Sequence, residues 1–367
     1  MRPPLLNLSE RTALAARLRH LKPGVAAAVT TEFLARHPDW VQKYGDRDRA
    51  LGIEDAASHV EFLAGAIDCG STSGFEDYLR WTTRMLGARG IGVEFVTENC
   101  QQIRAALAAD LSASEQELVA QYIQEGCAAV TEPATADAAT TNGTLVLTRE
   151  LFLQAILTGQ RHVALTIATE AVSAGQQIHD IYAEVFQEAL YEVGRRWEAN
   201  QITVAEEHMA TAITQYVVAQ MYSRLPTSPQ QRGNLVMTGV EGELHQVGPT
   251  MVADVLEADG WNVRFLGSNM PHSGIAQAIE QHRAAVVGIS ATMLYNISQV
   301  VRLITGLREH LGDRMPQVLL GGRAFHAAPT LGTELGVVGV AHDVRAAVAL
   351  ARPLGPGSGL KIIKRRM

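Results

Sequence analysis

The chain reads as a multidomain α plus α/β protein, with helices first and a parallel sheet last, and three observations predict this. Up to about residue 225, apolar residues recur at helical spacing, with few strand-like runs. From Asn234 onward, short apolar runs alternate with amphipathic ones, the pattern of a doubly wound sheet. Two punctuated stretches, TEPATADAATTNG at 131–143 and LPTSP at 225–229, mark off three structured regions: 1–130, 148–225 and 233–352. A linker over 131–147 and a Gly/Pro-containing tail over 353–367 complete the expected layout.

Within the first region, helical patterns cover 12–21, 25–36, 53–67, 75–86, 94–107 and 113–126, and Asn7-Leu8-Ser9-Glu10 offers the first a cap. Six helices of this length make a compact all-α domain. Four more patterns, at 151–158, 163–174, 178–196 and 205–224, predict a four-helix bundle. Candidate strands then fall at 235–238, 262–266, 285–289, 318–320 and 337–340. Helices at 249–258, 272–283, 295–311, 327–335 and 343–351 alternate with them. Five such strands suit a flavodoxin-like (Rossmann-type) order.

Composition narrows the function. A formal net charge of -7 argues against a general nucleic-acid binder, and the basic cluster at 361–366 reads as a solvated tail. The three cysteines, Cys69, Cys100 and Cys127, form no CxxC pair, which fits a reducing compartment. No apolar run approaches the roughly 20 residues of a membrane span, and Met1-Arg2-Pro3-Pro4 leads into a polar helix start rather than a signal-peptide core. A cytoplasmic protein with no direct nucleic-acid or membrane partner is expected.

Ligands of open parallel sheets bind at the carboxyl ends of the strands, and three separated motifs fall there. Glu243-Leu244-His245-Gln246-Val247-Gly248 follows the first strand, Ser290-Ala291-Thr292 ends the third, and Gly321-Gly322 ends the fourth. A carboxylate two residues before a histidine can accept one ring N–H, fixing the tautomer and strengthening the other nitrogen as a ligand. Gly248 lets the backbone pass close to a bulky ligand. Separately, Glu243 or His245 alone reads as an ordinary loop residue, and paired glycines as a tight strand-to-helix turn.

The three motifs, with 41 residues between Gly248 and Ser290 and 28 between Thr292 and Gly321, resemble the signature of base-off/His-on cobalamin-binding domains. Residues 233–352 look like that domain of methionine synthase and of CarH-type photoreceptors. The resemblance implies that His245 is the lower axial ligand of cobalt, with Glu243 behind it. It implies that Ser290 and Thr292 line the slot for the dimethylbenzimidazole tail, and that Gly321 and Gly322 let the tail thread into the sheet. Glu243 stands where Asp is more usual, and Thr292 where Leu is.

Trp197, nine intervening residues and then Glu207-His208 resemble the CarH-type signature for adenosylcobalamin. The region 148–225 would then cap the upper corrin face, the indole would pack on the adenosyl group, and Glu207 and His208 would meet its polar edges. CarH-type repressors place a histidine directly after the signature Trp, where it captures cobalt after photolysis. Here Glu198 occupies that position, so His208, His179, water or Glu198 itself would have to serve.

The N-terminal helices resemble a globin-like sensor domain, most clearly around Met85–Phe95. No histidine lies between Leu86 and Arg89, so haem held in the usual globin way is not expected. Globin-like domain, cap and cobalamin domain in this order resemble photocobilins, which pair cobalamin with a bilin such as biliverdin. Candidate bilin contacts, chosen by residue type and helical spacing, are Arg47, Arg49, His59, Tyr78, Arg80, Trp81 and Arg84. Cys69 and Cys100 read equally as buried thiols or thioether sites.

The resemblance implies a non-enzymatic light sensor, a cytoplasmic homo-oligomer (dimer or tetramer) whose assembly responds to light and signals to an effector absent from this sequence. The alternative is a corrinoid methyl carrier serving a methyltransferase.

Overall fold

A computed structural model describes residues 6–40, 47–131 and 145–355. The expected linker and terminal tail lie mostly outside the described residues. Contacts divide the chain into two compact units, one of residues 1–137 with 327–331 and one of 138–326 with 332–367.

The first unit is helical: α1 (Leu8–Arg36), α2 (Arg47–Cys69), α3 (Ser73–Gly87), α4 (Val93–Leu107) and α5 (Ala113–Thr131). Asn7 caps α1 through its side chain on Glu10 N–H, and Glu10 returns the bond to Asn7 N–H. The two helices expected at 12–21 and 25–36 are one, because α1 runs straight through Pro23. Leu14, Leu18, Val25 and Val29 stay on one buried stripe across the proline. Keeping that stripe in phase outweighs the backbone bond the proline removes.

The second unit begins with α6 (Val146–Leu157) and α7 (Arg161–Ser173). A long helix over 178–198, α8, follows; its stretch Ile181–Gln187 is wound as a π-helix between Ile178–Asp180 and Glu188–Glu198. α9 (Val204–Met221) starts with a second capping box, between Thr203 and Glu206. These helices share one apolar core, with Phe152, Tyr182, Phe186 and Val217 at its centre, and Val247, Met251 and Val255 of the following region join it.

The sheet comprises β1 (Gly233–Gly239), β2 (Trp261–Phe265), β3 (Val286–Ser290), β4 (Gln317–Gly321) and β5 (Gly339–Ala341), all parallel, in the order β2-β1-β3-β4-β5. This is the flavodoxin-like order, whose reversal beside β1 opens a crevice at the carboxyl edge. β1 and β3 are almost wholly buried, as strands covered on both faces must be. The connecting helices are α10 (Val247–Ala258), α11 (His272–His282), α12 (Ile297–Leu311), a single turn α13 (Leu331–Glu334) and the closing α14 (Val344–Ala351). The helix expected at 327–335 is thus cut to that turn, with a 3₁₀ turn at Arg323–Ala327 before it. The edge strand begins two residues later than expected, since Val338 only donates its N–H to Val318 and pairing starts at Gly339.

Candidate functional site

The loop after β1 is shaped by its backbone. Glu243 N–H donates to Val240 C=O at 3.0 Å, closing a turn around Gly242, whose φ of +83° suits glycine. Gly242 N–H donates to the Asn269 side chain at 2.9 Å, and Ser268 Oγ donates to His245 C=O at 3.1 Å. The next loop of the sheet therefore pins this one from the side.

Inside the turn the Glu243 side chain is fully buried, yet every donor around it is aimed at its carboxylate. Oε1 accepts from His245 N–H at 2.9 Å and pairs with His245 Nδ1 at 2.6 Å. Oε2 accepts from Thr292 N–H at 2.6 Å, Met293 N–H at 3.2 Å and Asn296 Nδ2 at 3.0 Å. Burial alone would raise this carboxyl, but the bonds from the His245 side chain and backbone and from Thr292 hold it down at about 2. Glu243 is therefore a fixed anion, and His245 Nδ1 carries the proton that faces it.

That fixes the tautomer. Nε2 keeps its lone pair, and the His245 side chain is 54% exposed. The bond to Glu243 also pushes the His245 pKa up, against desolvation, with help from the Glu243 charge and the Glu207 charge. The Glu207 effect matters geometrically, because it places the start of α9 across from the His245 loop.

Along the carboxyl edge of the sheet the register aligns Gly239, Ser290, Gly321 and Ala341 side by side. Ser290 is buried at the end of β3. At Gly322 φ is +105°, and a Cβ would come within 2.2 Å of Ala291 C=O, so no side chain fits there. Gly321 is under no such restraint. Gly248 opens α10 with free space where its Cβ would be. A row of small residues beside an oriented imidazole fits a ligand with a metal to coordinate and a long tail to bury. Among the described residues no cluster of three or more His, Cys, Asp or Glu could hold a bare metal ion, so His245 alone suits a metal whose other positions are already filled.

Two positions carry weight that sequence reasoning missed. Asn296, just before α12, completes the shell of Glu243, and the Met293 amide assists it. Thr292 contributes its backbone N–H to Glu243, rather than only lining a slot.

On the other wall, Trp197 and Glu198 are half-buried at the end of α8. Glu207 pairs with His208 Nδ1 and accepts from Thr211 Oγ1 at 3.1 Å. Gln215, Val218 and Ala219 of α9 line a small cleft with Gln246, Val247 and Thr250, directly beyond His245. The helical bundle is tied to α10 by Tyr182 Oη donating to Asp254 at 3.0 Å, and to α14 by Arg345 on Asp180 and Glu184.

The candidates in the first unit do not all gather. His59 and Tyr78 are buried and joined by a 2.7 Å hydrogen bond; Phe62 stacks on Tyr78 at 3.8 Å, and Trp81 lies at 6.2 Å. Arg80 is committed to Glu76 and Asp77, and Arg49 donates to Thr31. Arg84 is exposed, and the Arg47 side chain lies outside the described residues. Cys69 and Cys100 are buried free thiols. A second ring cluster, Phe33, His37, Trp40 and Phe95, was not anticipated.

A family model described as "B12 binding domain" matches residues 233–351, and a second with the same description matches 148–222. The two matches support a corrinoid cofactor, and cobalamin binding is the activity that this fold and this histidine support together. The HTH-type transcriptional repressor CarH of Myxococcus xanthus is 30% identical over 157 residues, 42% of this chain and 51% of that protein. The chain thus spans about half the length of that relative. A corrinoid protein of Desulfitobacterium hafniense (strain Y51) is 22% identical over 205 residues, 55% of this chain and 94% of its own. In fold, the second unit is similar to the monomethylamine corrinoid protein of Methanosarcina barkeri, at a TM-score of 0.52 and 19% identity over 57% of this chain and all of that one. No described helix is long and apolar enough to cross a membrane.

Proposed function

We propose that the protein is a cobalamin-dependent light sensor rather than an enzyme. It holds adenosylcobalamin with His245 below the corrin and the 148–225 bundle as a four-helix cap above it. The observation that carries this reading is Trp197 followed, after nine residues, by Glu207-His208 on a helix whose first turn faces His245. A cofactor loaded there brings a light-labile cobalt–carbon bond. The chain supplies the oriented imidazole, the small-residue edge for the tail, and a bundle whose packing depends on the upper group. Loss of that group redistributes subunit contacts in a cytoplasmic homo-oligomer and so alters signalling to an effector. The globin-like reading of the first unit extends to a bilin such as biliverdin, supported by the aromatic group of His59, Phe62, Tyr78 and Trp81.

The test is purification in the dark with adenosylcobalamin, then green light. The expected result is a changed cobalamin spectrum together with a changed elution volume. A spectrum indifferent to light would sink the sensor reading. Co-expression with biliverdin adds a red-absorbing band if the first unit holds the second chromophore, and no such band otherwise.

The corrinoid relatives favour a second reading, since this chain covers nearly the whole of one of them. A methyl carrier would be isolated with methylcobalamin, would pass the methyl group to a partner enzyme, and would be little affected by Trp197→Ala.

A further inference from the structure

The Glu243–His245 pair is not the only carboxylate-oriented imidazole in the second unit. Glu207 Oε2 holds His208 Nδ1 in the same way, at the start of α9, and Glu207 is itself steadied by Thr211 Oγ1 at 3.1 Å. A carboxylate on Nδ1 fixes the tautomer that leaves the Nε2 lone pair available. The His208 side chain is 76% exposed, so nothing in its own unit fills the space in front of it.

Placement on α9 points this pair toward the corrin site. Residues 207, 211, 215 and 218 recur at helical spacing, as do 208, 212, 215 and 219, so both stripes run into Gln215. Gln215, Val218 and Ala219 line the cleft against Gln246, Val247 and Thr250, immediately after His245. Glu207 in turn acts electrostatically on His245. The two oriented imidazoles thus stand on opposing walls of one space. His179 is no rival: it sits 18 residues before Trp197 on α8, roughly 27 Å along the helix, beside the Asp180 that Arg345 engages.

We infer that His208 is a second axial ligand, binding cobalt from the upper face when the cofactor carries no alkyl group there. The step is a ligand exchange at Co(III): the Nε2 lone pair of His208 forms a Co–N bond, the bond to water breaks, and water leaves. Cobalt keeps its oxidation state, and Nδ1 keeps its proton toward Glu207. The inference rests on cobalamin binding through His245, but not on light sensing.

Hydroxocobalamin added to the full chain in the dark is the probe. The wild type is expected to show a spectrum that added imidazole does not change, with cyanide uptake at least tenfold slower than in His208→Ala. His208→Ala is expected to bind hydroxocobalamin and to regain the wild-type spectrum when imidazole is supplied. Glu207→Gln is expected to fall between them. Equal spectra and equal cyanide rates in wild type and His208→Ala would overturn the inference, as would Glu198→Gln alone producing the shift expected of His208→Ala. A chain that takes up no hydroxocobalamin overturns the cobalamin reading and this inference with it, whereas uptake without a His208 effect overturns this inference alone.

Discussion

Five donors converge on the Glu243 carboxylate, and what each one does differs. The His245 ring N–H sets the tautomer of the ligand, while the Thr292, Met293 and Asn296 donors keep the carboxylate charged in a place with no water. Removing the side-chain donor with Asn296→Ala leaves a buried anion one bond short. Cobalamin affinity should fall about tenfold, the lower end for lost support behind a metal ligand, as read by equilibrium titration. Glu243→Gln, which turns an amide against the Thr292 and Met293 N–H groups, should cost more. The glycines divide just as sharply. Gly322→Ala should destabilise the second unit by about 3 kcal/mol, since it combines a disfavoured φ with backbone overlap, whereas Gly321→Ala should be nearly silent in the same thermal melts. The Glu-x-His-x-x-Gly loop was legible in the sequence because its chemistry lies within six residues. Asn296 was not, because it is 53 residues from Glu243 and meets it only where β1 and β3 lie side by side.

At the scale of elements, strong periodic signals held and single-residue stop signals did not. Pro23 reads as a helix break in isolation, but the apolar stripe on both sides of it is one stripe, and packing prevailed. Pro23→Ala should restore the bond to the Arg19 carbonyl and raise the stability of the first unit by about 1–3 kcal/mol, with urea denaturation as the measure. The π-helical turn of α8 has no sequence signal, because an extra residue in a helical turn leaves the apolar pattern almost intact. Tyr182 within it donates to Asp254, whose carboxyl is pushed up to about 6 by burial and by the Glu257 charge, against the Tyr182 bond. With the folded value above the unfolded one, the stability tied to this group is fully present below about pH 3.8 and is lost as pH rises through 6. Asp254→Asn keeps an acceptor for Tyr182 and removes the titration. Its advantage over wild type should be near zero at pH 4 and up to about 3 kcal/mol at pH 8, and a variant no more stable at pH 8 would refute the assignment.

Across the whole molecule, the alternation of apolar runs after residue 233 announced five parallel strands, and their order followed from the rule that such sheets reverse beside the first strand. The first unit was legible only as helices, since periodicity shows which face of a helix is buried but not which neighbour buries it. That is why the cluster of Phe33, His37, Trp40 and Phe95, drawn from two helices about sixty residues apart, escaped notice while His59 and Tyr78, on successive helices, were singled out. The same buried histidine distinguishes the pH response of this unit from that of the other. Burial pushes His59 down to about 4 from an ordinary 6.5, so the unfolded chain binds the proton first. The stability tied to His59 is whole above pH 6.5 and is lost as pH falls toward 4, the opposite direction to that tied to Asp254. Its size is about 3 kcal/mol. His59→Gln preserves a partner for the Tyr78 hydroxyl and cannot titrate, so its first-unit transition should move much less between pH 7 and pH 4 than the wild-type one. Calorimetry of the full chain can follow both units at once. In it His59→Gln should flatten only the first-unit transition and Asp254→Asn only the second, and a substitution that moved both would show that the two groups do not titrate within separate cores.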